Sequence, residues 1–140
     1  MKNKGVIMKN YLGLILLICT FFFSSFSTRF GTGMEIEDIA VAMKSGNAAQ
    51  LSRYFDNRVD ITLPDKSDNY SRAQAEMVIR DFFTNNSVRN FEIKYKGENS
   101  GSKYCIGTLL TKNGNYRTNL FLKQKDNKQV LQEIAFQSIE

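Results

Sequence analysis

The side chains of this chain that could do chemistry are its tyrosines and carboxylates, because its 140 residues include no histidine. Histidine is the commonest general base and the commonest metal ligand, so its absence excludes Ser-His-Asp, Cys-His and histidine-zinc sites within the chain. Tyr54, Tyr95 and Tyr116 are the candidates for a ligand pocket, in which their hydroxyls would face a ligand. The alternative is that the three are aromatic residues at the edge of the core, with hydroxyls that reach water or backbone.

The acidic residues are not predicted to converge on a site. Asp60 alternates with apolar neighbours and therefore lies on the solvent side of its strand, and Asp81 lies off the apolar stripe of its helix. Asp65, Asp68 and Asn69 lack the glycine and the closing glutamate of a calcium-binding loop, which favours a plain polar turn. We therefore predict no catalytic residue, no metal site and no cofactor.

The first 27 residues predict a secretory signal. Three lysines precede an uncharged apolar run over residues 11–26, and Ser25 and Ser27 supply the small residues that a signal peptidase reads. The run is shorter than the ~20 residues that cross a bilayer, so we predict cleavage near Ser27 and no stable membrane anchor afterwards. The prediction is export to the periplasm or the exterior, and a retained anchor is the alternative.

The two cysteines do not predict a disulfide. Cys19 lies in the signal and leaves with it, so Cys105 remains alone in an apolar strand, where a buried and unreactive thiol is expected. A lipoprotein modified at Cys19 is disfavoured, because Ile18 before it is not small and the apolar run continues beyond it.

Loss of the signal also changes the charge of the chain. Three lysines leave and no acid does, so the formal net charge falls from +5 to +2. No cluster of lysine and arginine remains, and we predict no nucleic-acid partner.

The first half of the exported part predicts two helices, a strand and a third helix. Residues 35–44 carry apolar side chains with helical spacing, and Asn47 can cap a second, short helix. Residues 59–63 alternate as a half-buried strand does, and the polar residues 65–70 predict a turn. Ser71 begins the strongest helix with a capping box.

The second half predicts four strands in an antiparallel meander, at residues 91–96, 103–112, 115–125 and 129–139. Asn113 and Gly114 predict a two-residue turn with positive φ at both positions, which pairs Lys112 with Asn115. For the last strand we prefer the register that places Val130, Ile134 and Phe136 on the core face; the alternative is an even register that places Glu133 beside Leu120 there. Helices collected in the first half must cover one face of this sheet, which is an α+β architecture.

The alternation along the central hairpin separates a more apolar face, assigned to the helices, from an outer face. The outer face carries Tyr104, Ile106, Thr108, Leu110, Arg117, Asn119 and Phe121. Among them Ile106, Leu110, Arg117 and Phe121 are the interface candidates, because a mixed apolar and polar face predicts a partner. Self-association as a homodimer through this face is the hypothesis, and scattered surface apolar residues are the alternative.

Several short motifs resemble a known family. They are Leu-Ser-Arg-Tyr-Phe at 51–55, Tyr-Ser-Arg-Ala-Gln-Ala-Glu at 70–76, Asp-Phe-Phe at 81–83, Ile-Gly-Thr-Leu at 106–109 and Gly-Asn-Tyr-Arg at 114–117. As a set they resemble an uncharacterised family of small secreted bacterial proteins, a domain of unknown function within the nuclear transport factor 2-like superfamily. The resemblance covers nearly all of the exported part.

The resemblance implies a fold and no activity. The implied fold is a cone-shaped, cystatin-like α+β domain, with N-terminal helices packed on a curved antiparallel sheet, over residues 35–140 after a flexible lead at 28–34. The superfamily includes scytalone dehydratase and ketosteroid isomerase, but without histidine the His/Asp arrangement of the dehydratase does not carry over.

We therefore expect an exported, non-catalytic binding or scaffold domain. It would hold a small apolar ligand in the cone or a protein partner on the outer face. The alternative is a histidine-free isomerase or lyase that uses tyrosine and carboxylate groups in the cone. That alternative requires an acid buried near Tyr54, Tyr95 or Tyr116.

Overall fold

A computed structural model describes residues 35–139 of the chain. The predicted signal, its cleavage point and the lead at 28–34 lie outside the described residues, so these remain predictions. None of the helices in the described part is long and apolar enough to span a bilayer.

Helices and strands follow one another along residues 35–139 in nearly the predicted order. They are α1 (Glu35–Lys44), α2 (Ala48–Ser52), β1 (Phe55–Thr62), β2 (Ser67–Ser71), α3 (Arg72–Asn86), β3 (Val88–Asn99), β4 (Ser102–Thr111), β5 (Gly114–Lys125) and β6 (Lys128–Ile139).

The predicted helix starts are confirmed by their caps. Asn47 Oδ1 accepts a hydrogen bond from the backbone N–H of Gln50 at 2.9 Å, which satisfies one free donor of α2. Ser71 and Gln74 form the capping box that begins α3. Ser87, with a φ of 54°, ends α3 in the left-handed conformation.

The six strands form one curved, unclosed sheet in the order β2-β1-β6-β5-β4-β3. The predicted meander from β3 to β6 is confirmed, and every pair within it is antiparallel. The prediction of a purely antiparallel sheet is wrong at one pair, because β1 runs parallel to β6. The α3 helix carries the chain to the far edge before the meander begins, so the last strand returns beside β1 in the same direction.

The polar segment at 65–70 is not only a turn, because most of it belongs to strand β2. Asp68, Asn69 and Tyr70 pair with β1, and Asn69 Nδ2 donates to Asp60 Oδ1 at 2.6 Å. Asp60 is exposed, as predicted. A short polar strand at an exposed edge has no apolar alternation, which is why its pattern resembles a turn.

The helices cover the inner face of the sheet, and the predicted faces of β4 and β5 are confirmed. Residues on the inner face are buried with helix residues in one core, the largest of them being Phe55, Phe136, Ile39, Met43, Leu51, Ile61, Ile79, Leu109, Leu120, Leu122, Leu131 and Ile134. The hairpin turn itself differs from the prediction, since Thr111 pairs with Gly114 and φ is positive only at Gly114. Each β5 residue is thereby shifted by two positions along β4, which leaves every side chain on its predicted face.

The last strand combines the expected register with a bulge. Ile134 and Phe136 are fully buried, as predicted, but Leu131 takes the place expected for Val130. A register shift between Phe121 and Leu122 causes this change.

Replacement of Gly107 by alanine is expected to lower the free energy of unfolding by about 1–3 kcal/mol. A Cβ at this position would lie 2.4 Å from Phe91 Cζ and 2.7 Å from the backbone oxygen of Glu92, which cannot move without disturbing the β3–β4 pairing. Chemical denaturation measures the loss. Gly97→Ala is the control, because the three atoms nearest to its added carbon all belong to the phenol end of the Tyr104 side chain and none to the backbone. An equal or larger loss of unfolding free energy for Gly97→Ala would contradict the steric conflict assigned to Gly107.

Candidate functional site

The candidate pocket tyrosines lie in different surroundings. Tyr54 is partly buried; its burial, followed by the negative charge of Asp38 in α1, raises the pKa of Tyr54. The Tyr116 hydroxyl instead donates to Asn86 Oδ1 at 2.8 Å, at the end of α3. The structure therefore does not bring these hydroxyls together at one pocket.

Tyr95 corrects the prediction of a pocket residue, because its side chain does not lie on the inner face of the sheet. A register shift between Ile93 and Tyr95 in β3 turns it to the outer face, where it pairs with Ile106 and is 57% exposed. Its ring centroid lies 5.8 Å from that of Tyr104, and a hydrogen bond with Tyr95 raises the pKa of Tyr104. Tyr95 belongs to a surface and not to the interior of the cone.

One cleft, here called the α3 cleft, opens between α3 and the β1–β2 loop. Its volume is about 350 Å³. Its lining combines apolar and polar side chains: Leu63, Pro64, Asp65, Lys66, Val78, Asp81, Phe82, Asn85, Asn86 and Tyr116. Of the three predicted pocket residues, Tyr116 lines this cleft.

The interior of the described unit offers no acid for catalysis. Its buried polar residues are Ser52, Thr111 and Thr118, and no carboxylate is buried among residues 35–139. Asp38, the acid beside Tyr54, is only partly buried. In the same part of the chain, no three cysteine or carboxylate side chains are grouped so that they could hold a metal ion. The isomerase or lyase alternative thus lacks the buried acid that it requires.

The four interface candidates all lie on the outer face, as the alternation predicts. Ile106 and Leu110 of β4 are half-buried, while Arg117 is exposed and Phe121 is 37% exposed on β5. Their role as an interface is a separate matter from their position and stays a prediction.

A second cleft, here called the outer cleft, lies at the centre of this face. It has a volume of about 250 Å³ and is lined by Tyr104, Cys105, Ile106, Arg117, Asn119, Leu120, Phe121 and Glu133. The side chains of Arg117 and Glu133 make no hydrogen bond or ion pair with another described residue. The Asn119 side-chain oxygen is buried without a hydrogen-bond partner among residues 35–139, which costs about 1–3 kcal/mol if nothing else satisfies it.

The sequence did not identify Glu133 as a member of this cleft, because that required the register of the last strand. Phe121 pairs with Glu133, and the register shift beside that pair has no local signal. Asn119 was placed on the outer face by alternation, but an isolated amide in a strand gives no sign that its oxygen is buried.

Helices packed on the inner face of a curved, unclosed six-stranded sheet form the α+β cone of the nuclear transport factor 2-like fold. A designed protein of this type matches with a TM-score of 0.58 at 15% identity, over 73% of this chain and 92% of its own. A Nostoc punctiforme domain of unknown function with a cystatin-like fold matches with a TM-score of 0.60 at 10% identity, over 75% of this chain and 73% of its own. At these identities the likeness shows the fold alone.

Within this class the chain belongs to the DUF4783 family, a domain of unknown function, which matches residues 36–137. A DUF4783 protein from Bacteroides ovatus, solved by crystallography, is 33% identical with a TM-score of 0.72, over 74% of this chain and 94% of its own. A search of curated proteins gives no match. The predicted family and fold are confirmed.

Proposed function

We propose that this chain is an exported, non-catalytic binding domain that holds a protein partner on the outer face of its sheet. The observation that carries the proposal is the outer cleft, where apolar Ile106 and Phe121 lie beside two charged side chains, Arg117 and Glu133, that have no partner among residues 35–139. Export places that partner in the periplasm or outside the cell, and rests on the predicted signal at residues 1–27.

The interior of the cone is a less favourable binding site for a ligand than the outer face is for a protein partner. Phe82 packs against Phe136 with ring centroids 4.6 Å apart and against Tyr116 at 5.1 Å, so aromatic rings occupy the space beneath α3. A ligand held deep within the described unit would have to displace these rings. The outer face needs no such rearrangement before a partner binds.

The α3 cleft favours a second candidate function, the binding of a small ligand at the edge of the cone. Val78 and Phe82 give it apolar surface, while Asp81 and Lys66 give it charge of both signs. A pocket of this size with a few polar groups is typical of small-molecule sites. We place it second because its polar groups Asn86 and Tyr116 already bond to each other.

The test is site-specific photo-crosslinking in cells that make the protein naturally. A photo-reactive residue at Tyr95 or Phe121 is expected to give a discrete protein adduct, because both side chains reach solvent on the outer face. Met77 on α3 is the control position, since it is 62% exposed but lies away from that face.

Adducts at the outer positions and none at Met77 would support the proposal. Adducts at Met77 alone would overturn it. An absence of adducts at both outer positions would also overturn it and would leave the α3 cleft as the better supported surface.

A further inference from the structure

One wall of the outer cleft consists of aromatic rings. Tyr104 of β4 pairs directly with Phe121 of β5, and both side chains line the cleft. The phenol end of Tyr104 lies over Gly97, and the exposed ring of Tyr95 lies beside it at a centroid distance of 5.8 Å. Aromatic rings carry partial negative charge on their faces, so this wall attracts a cation that lies against it.

The other wall of the cleft carries negative charge. Glu133 of β6 pairs with Phe121 on one side and with Asp60 of β1 on the other, so two carboxylates lie next to each other on the outer face. Asp60 accepts a hydrogen bond from Asn69, but neither acid forms an ion pair with any residue in the range 35–139. Like charges opposite each other in neighbouring strands repel, so a cation bound between this wall and the rings would relieve the repulsion.

The floor of the cleft offers a hydrogen-bond acceptor that lacks a donor. Asn119 lies between the two walls, where it pairs with Ile106 of β4. Its side-chain oxygen is buried, and none of the described residues donates to it. A ligand that carries an N–H group to this depth would supply the missing hydrogen bond.

Arg117 does not supply the missing cation from within the domain. It precedes Phe121 by four residues on β5, which places it about 13 Å away along the strand, and it forms no ion pair with Glu133. At that separation, salt at physiological concentration screens most of its repulsion of a cation bound near Glu133.

From these contacts we infer that the outer cleft receives an arginine side chain of the partner protein. The inference rests on the proposed function, since it states which chemical group the partner presents to the same surface. A guanidinium is flat and can stack on the ring of Phe121. Its five N–H donors are enough for both the Asn119 oxygen and the Glu133 carboxylate. The cleft, at about 250 Å³, is smaller than a typical pocket for a drug-sized ligand and suits a single side chain.

The first test is a titration of the ¹⁵N-labelled protein, made from its full 140-residue sequence, with N-acetyl-arginine methylamide. We expect binding with a dissociation constant on the order of millimolar, because one anchoring side chain acts without the rest of its protein. The shifted NMR signals should be those of the Asn119 side-chain amide and of the Phe121 and Glu133 backbone. N-acetyl-citrulline methylamide has the same shape without the charge and should bind at least about tenfold more weakly.

A variant of the acidic wall tests the charge of the cleft. Glu133→Gln should weaken binding of the arginine probe at least about fivefold, because it removes the charge that the guanidinium faces. Glu92→Gln is the matched control, since Glu92 is an exposed carboxylate of β3 that does not line the cleft, and it should leave the dissociation constant unchanged.

A variant of the floor separates binding from folding. Asn119→Leu should also weaken probe binding at least about fivefold, yet the midpoint of urea denaturation should stay the same or rise, because a buried oxygen without a partner is removed. Gln137→Leu is the control for an amide replaced by leucine on the same face outside the cleft, and it should not alter probe binding. A fall in the denaturation midpoint of Asn119→Leu would contradict a binding role for this oxygen.

Equal binding of the arginine and citrulline probes would overturn the inference, and so would an absence of NMR shifts at about 100 mM arginine probe. In cells, Glu133→Gln should reduce the photo-crosslinked adduct at Phe121 at least about fivefold. An adduct that persists undiminished would overturn the inference and keep the proposed function. An absence of adducts at both outer positions would overturn the proposed function, while selective binding of the arginine probe would still show the chemistry of the cleft.

Discussion

Replacement of Phe136 by alanine is expected to lower the free energy of unfolding by about 3–5 kcal/mol. Phe136 is fully buried in β6, and its ring centroid lies 4.6 Å from that of Phe82 and 6.4 Å from that of Phe83. Removal of the ring leaves a cavity that the strand and α3 cannot close without breaking their own contacts. Urea denaturation at a fixed low protein concentration measures the change.

Phe121→Ala is the matched control for this experiment. Phe121 lies on the neighbouring strand but on the outer face, where it is 37% exposed, so the same truncation should cost at most about 1 kcal/mol. Comparable losses at the two positions would show that the outer face is buried in the free domain. That result would contradict both the face assignment and the proposed binding surface.

Cys105 is expected to react with a thiol reagent at pH 8 on the order of 200-fold more slowly in the folded domain than in the unfolded chain. The thiol is 1% exposed in β4, and burial raises the pKa of Cys105 to about 11. An unfolded cysteine has a pKa of about 8.5, and only the thiolate reacts, so the raised pKa removes most of the reactive form at pH 8. Steric exclusion of the reagent slows the reaction further.

The measurement is the labelling rate of the chain that begins at Thr28, which lacks Cys19, with and without denaturant. The raised pKa also has a consequence for stability. Above about pH 8.5 the unfolded thiol loses its proton before the folded one does, so this group lowers stability as the pH rises from about 8.5 toward 11. Rapid labelling in the absence of denaturant at pH 8 would contradict the burial of Cys105 and would make it a candidate for chemistry.

Local features of the sequence were sufficient to predict the helices and the two faces of the central hairpin. The caps at Asn47 and Ser71 are short-range contacts, so the residues that form them can be read directly from the chain. Alternation along β4 and β5 fixed which side chains face the helices, and the error in the turn did not alter it, because the shift was an even number of residues. The outer positions of Ile106, Leu110, Arg117 and Phe121 were therefore predictable.

The candidate site was only partly predictable, because its members come from strands that are far apart in the chain. The register shift at Tyr95 moved a predicted pocket residue to the outer face, and the shift beside Phe121 fixed the position of Glu133. A bulge inserts one residue where the packing of neighbouring strands demands it, and the local pattern of apolar residues does not record that demand.

By itself, the sequence excluded sites that need histidine and determined where the helices begin and which residues of the central strands face outward. It could do so because these properties depend on residue types and on neighbours within one or two turns of chain. Only the tertiary structure decided that β1 lies parallel to β6, that Tyr95 leaves the interior, and that Arg117 and Glu133 lie on either side of Asn119. Those relations depend on which distant strands meet and in what register, and that is settled by the packing of the whole core.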